Sequence, residues 1–65
     1  MKKYYLVETT TQPLPLVSSH WVYAINIKDA HRMARVLFGE GVSIKTREAT
    51  DEEIKYLDPR AVIVA

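Results

Sequence analysis

Sixty-five residues suffice for one domain with a small core, because a chain this short buries only about 60% of the surface its unfolded form exposes. Cysteine is absent, which excludes disulfide bracing and thiolate metal sites and leaves self-association as the favoured source of extra stability. Nine Lys and Arg stand against eight Asp and Glu, a net charge of +1 that falls short of the basic excess of dedicated nucleic-acid binders.

Residues 2–10 are rich in Tyr, Val and Thr, which suit a pleated, half-buried surface, and are predicted as strand one. Lys2 and Lys3 resemble the basic start of a signal peptide, but Glu8 ends the apolar run after Tyr4–Val7. No stretch approaches the length of a membrane span, so a soluble cytoplasmic protein is expected. "QPLPLVSS" follows; Pro13 and Pro15 cannot donate to a ladder, which makes this a loop or a ragged sheet edge. "HWVYAI", residues 20–25, is predicted as strand two.

Asn26 caps the next element, its side chain placed to accept from the amide of Asp29. Ile27, Ala30, Met33, Ala34 and Leu37 recur at helical spacing, and Gly39 and Gly41 supply C-terminal stops. On a helical wheel Ala30, Met33, Ala34 and Leu37 mark the core side, with Ile27 and Phe38 at its margin. "VSIKTREA" alternates as strand three. Thr50 with Glu53 three residues on is a capping-box signal for a short helix, which Pro59 ends. "RAVIVA" is a final short strand or an apolar arm.

The order β-β-α-β-α-β predicts an α+β domain over residues 1–65. Its three- to four-stranded, mainly antiparallel sheet carries one main helix on one face. A right-handed crossover from strand two to strand three, with strand one between them, makes a split β-α-β arrangement.

Catalytic constellations are not assembled. Ser19 and His20 are neighbours on a strand and point to opposite sides. His20 and His31 lack the i, i+4 spacing of a helical zinc site, and the two glycines follow a helix instead of opening one. The acidic run Glu48, Asp51, Glu52 and Glu53 is accounted for by capping and by the helix dipole. The expectation is a protein that is not an enzyme, with no metal, cofactor or small-molecule substrate.

Two surfaces remain. Lys28, Arg32 and Arg35 fall on one stripe opposite the helix core side, candidates for contacting an acidic partner or phosphates, although an outward helix face is polar in any case. The stronger signal is strand two. With Ala24 and Val22 beneath the helix, Trp21, Tyr23 and Ile25 project to the other face. Strand one adds either Tyr5 and Val7 or Tyr4 and Leu6 to that same face. One helix covers one side of a sheet, and a sheet face left to water alternates apolar with polar, which "WVYAI" does not. The second face is therefore covered by the C-terminal segment with Ile54 and Leu57, by a second copy, or by another macromolecule. Tyr5, Trp21, Tyr23 and Ile25 are the expected partner or dimer face. The reading is a homodimeric protein-binding module. The alternative is a nucleic-acid-binding domain that uses the sheet aromatics with the basic stripe.

"MKKYYLVET", "VYAINIKDAHRMARVLFGEGV" and "REATDEEI" together look like short open reading frames of phages and mobile elements. In those, a strand ending in a small residue runs into a capped helix and a third strand. The β-β-α-β grammar is similar to that of some small anti-CRISPR proteins. The resemblance implies a non-catalytic phage-type accessory or inhibitor protein that acts by occupying a partner's surface. It transfers no functional residue.

Overall fold

The structure is a computed structural model, and it describes all 65 residues. Strands β1 (Lys3–Thr10) and β2 (Val17–Ala24) form a long hairpin, followed by helix α1 (Ile27–Phe38) and strand β3 (Ser43–Glu48). A short helix α2 (Asp51–Lys55), a 3-10 turn (Pro59–Ala61) and strand β4 (Val62–Val64) complete the chain. The sheet order is β3-β1-β2-β4. β1 is antiparallel to both β2 and β3, as the split β-α-β reading expects, and β4 adds parallel to β2, making the sheet mixed.

Local chemistry explains the boundaries. The Asp29 amide donates to Asn26 Oδ1 at 2.9 Å, closing the first turn of α1. Helix α1 stops at Gly39, whose amide donates to the Arg35 carbonyl at 2.9 Å with φ at +79°. Thr50 and Glu53 form the reciprocal capping box, with the Thr50 amide donating to Glu53 Oε1 at 2.9 Å and the Glu53 amide to Thr50 Oγ1 at 3.2 Å. Strand β2 starts at Val17, three residues before the expected His20, because Thr10↔Val17, Thr9↔Ser18 and Glu8↔Ser19 continue the ladder towards the loop. It ends at Ala24, so Ile25 lies in the turn before α1 and belongs to neither sheet face.

Side chains alternate across the sheet. Tyr5 and Val7 of β1 face α1 together with Val22 and Ala24 of β2; with Ala30 and Ala34 of the helix they make the six-residue core. Alanine at both helix positions lets α1 approach the sheet closely. Phe38, Ile44 and Ile63 pack around this cluster. The centre of the buried helix stripe is thus Ala30–Ala34–Phe38, rotated from the expected centre, and Leu37 is 51% exposed. The physical reason is placement: α1 leans towards β3, and its His31 Nδ1 shares a hydrogen bond with Thr46 Oγ1 of that strand at 3.0 Å. His20, also on this side, tilts over the Phe38 ring with centroids 4.3 Å apart.

The two crossovers run in opposite directions across the sheet. From β2 the chain passes through α1 to the β3 edge, and from β3 it returns through α2 to the β4 edge. Right-handed connections of opposite direction put their helices on opposite faces. Arg47, on the face away from α1, confirms this placement by forking onto Glu53 of α2 at 2.7 and 2.6 Å.

Candidate interaction surface

The face opposite α1 is organised in rows by the strand register. One row reads Tyr4–Tyr23–Val64 and the next Arg47–Leu6–Trp21–Val62. Beyond them Lys45, Glu8 and Ser19 form a polar row. Apolar side chains therefore gather at one end of the face and polar ones at the hairpin end. Tyr4 and Tyr23 lie directly opposite each other with ring centroids at 4.6 Å, and Tyr4 meets Trp21 edge-on at 6.3 Å. The Lys2 ammonium stands 5.8 Å from the Tyr23 ring centroid.

Trp21 and Tyr23 project to this face, as strand alternation expects. Tyr5 does not join them: it is 6% exposed in the core beneath α1, and Tyr4 and Leu6 take its place. The reason is parity. β1 is apolar at four successive positions, so its pattern alone leaves the face open. Glu8 was the available signal, because a lone carboxylate belongs on the wetter face and shares its side with Leu6 and Tyr4. Ile25 is 59% exposed in the turn and stands apart from the aromatic rows. Val62 and Val64 extend the rows through a parallel pairing of distant segments, for which the local sequence carries no signal.

The aromatic rows are not bare. Tyr4, Leu6, Trp21 and Tyr23 are each half-buried, and so are Ile54 and Leu57 of the returning segment. Val64 remains 63% and Tyr56 84% exposed. The Arg47–Glu53 fork clamps the segment. It holds the Glu53 carboxyl at about 2, below the ordinary 4.5, chiefly through the Arg47 hydrogen bonds and then through the Thr50 amide. The Arg47 guanidinium is correspondingly raised.

The basic stripe of α1 is only partly free. Arg35 turns back to donate to the carbonyls of Gly39 at 2.9 Å and Val42 at 3.0 Å, serving the helix end. Arg32 pairs with Asp29 at 3.5 Å. Lys28 makes neither an ion pair nor a side-chain hydrogen bond. No group of three or more His, Asp or Glu side chains gathers around a common point, and no helix is long and apolar enough to cross a membrane. Comparison with protein-family models, curated proteins and solved structures finds no match to this chain.

Proposed function

We propose that this domain is a non-catalytic protein-binding module that self-associates through the aromatic rows opposite α1. The observation that carries the reading is the imbalance of apolar surface. Eight of 65 residues are buried, while Val64 stands exposed beside a half-buried patch of Tyr4, Leu6, Trp21 and Tyr23. A patch of aromatic and β-branched side chains with charge only at its rim has the composition of an interface centre. A small domain with so little core gains stability when a second copy covers such a patch. Action by occupying a partner's surface is also what the resemblance to phage-type accessory and inhibitor proteins implies. A cytoplasmic location belongs to the same reading and agrees with a cysteine-free chain.

Light scattering tests it. The wild type is expected at twice its 7.5 kDa chain mass. Val64→Glu, which places a charge on the exposed end of the first apolar row, is expected at the single mass with unchanged far-ultraviolet circular dichroism. A wild type that stays at single mass at high concentration, or a Val64→Glu variant of undiminished mass, removes this face as the interface.

A further inference from the structure

Strand β3 is the opposite edge of the sheet, and its outer side has no strand partner. The Ala49 amide donates to the Tyr4 carbonyl at 3.0 Å. In an antiparallel ladder, inward- and outward-bonding residues alternate. Arg47, Lys45 and Ser43 therefore turn their backbone groups to β1, whereas Ile44 and Thr46 turn theirs outward. Two N–H and two C=O groups are thus presented along one short edge. The window has defined ends: Arg35 occupies the Val42 carbonyl, and Arg47 reaches the Glu48 carbonyl at 3.4 Å.

A shallow, open groove of about 370 Å³ runs beside this edge, between β3 and α1. Ile27 and Ile44 are its apolar walls, with His31 and Thr46 between the two elements and Lys28 and Arg32 along the rim. On the other side of the edge Lys45 is exposed. An extended segment laid against β3 would send alternate side chains into the groove and over the opposite face. One set would meet isoleucines beneath Lys28 and the other the exposed Lys45, the two cations here with no ion pair, since Arg32 and Arg47 are held by Asp29 and Glu53.

We infer that the β3 edge is a strand-addition site for an acidic, extended protein segment that alternates apolar with Asp or Glu residues. The end of the aromatic rows, at Val62 and the exposed Val64, lies on the far β4 edge. Charge selects the occupant. Two copies pairing antiparallel about a two-fold axis must set residues of the same face opposite each other. A register centred on Lys45 puts that residue against its own copy, and one centred on Thr46 sets Lys45 against Arg47. Like charges directly opposite are unfavourable in both of these, and a register centred on Ile44 would need the Val42 carbonyl that Arg35 already occupies. An acidic strand meets complementary charge on both sides of the edge.

The test titrates 15N-labelled protein with a blocked heptapeptide that alternates Glu and Val, and with its Lys–Val counterpart. Saturable shifts are expected at the Ile44 and Thr46 amides with the acidic peptide only. Lys28→Glu changes an exposed side chain that has no ion pair, so the fold is retained. Combined with Lys45→Gln, it is expected to weaken the acidic peptide about tenfold and to strengthen the basic one. Val64→Glu, at the far edge, is expected to leave the titration unchanged, which separates this site from self-association. Equal binding of the two peptides, absence of a saturable shift, or peptide shifts centred on Trp21 and Tyr23 would overturn the inference. So would shifts at Ile44 and Thr46 that follow protein concentration without peptide.

Discussion

Gly39 carries a backbone requirement that no other residue in the chain shares. Its φ of +79° and ψ of −168° lie where essentially only glycine is found, and no other residue combines a side chain with positive φ. An added Cβ would meet nothing within 4 Å at Gly39 or at Gly41, so space does not distinguish the two. Conformation does. Gly39→Ala is expected to cost about 1–3 kcal/mol, whereas Gly41→Ala is expected to be near neutral, as paired thermal unfolding curves would report. Both glycines were legible as helix stops, but only the folded backbone shows that Gly39 is the one at positive φ. Arg35 shows the same division: it reads as one cation in a stripe, and the fold spends it on the carbonyls of Gly39 and Val42.

Helix α2 is too short to be stable alone, and three acidic residues in its first turn favour it only modestly. It persists because Glu53 serves two masters, the Thr50 cap and the Arg47 fork. The consequence is a defined pH response. A carboxyl held at about 2 in the folded state and at 4.5 ordinarily contributes its full stability above about 4.5. That contribution is lost as the pH falls from there towards about 2. Unfolding curves for the wild type and Glu53→Gln are expected to converge over this window, with the wild type losing more. A parallel loss in both would show that other carboxylates govern the acid limb. The capping box is readable from Thr50 and Glu53 alone, but the fork is not. Arg47 reaches Glu53 only because β3 and α2 meet at the sheet edge.

The whole molecule is a mixed sheet with a helix on each face, but the faces are unequal. α1 seals one side with a six-residue core, whereas the other side keeps its aromatic rows half-buried and is tied to α2 through the Arg47–Glu53 fork. A fold with so few buried residues sits near the lower limit of independent stability. If the aromatic rows are closed by a second copy, association adds to stability by mass action. The thermal midpoint of the wild type is then expected to rise with protein concentration, while that of Val64→Glu stays flat. Scanning calorimetry at two concentrations measures this directly.

Element order, caps and helix stops were all present in the chain before folding, because each depends on residues within a turn of one another. So was the orientation of Trp21 and Tyr23, since alternation needs only one anchored neighbour. The exchange of Tyr5 for Tyr4 and Leu6, the rotation of α1 towards β3 and the rows completed by Val62 and Val64 were settled by folding. Each is a relation between segments far apart in the chain. Such relations follow from register and crossover direction, which appear only when the strands are paired.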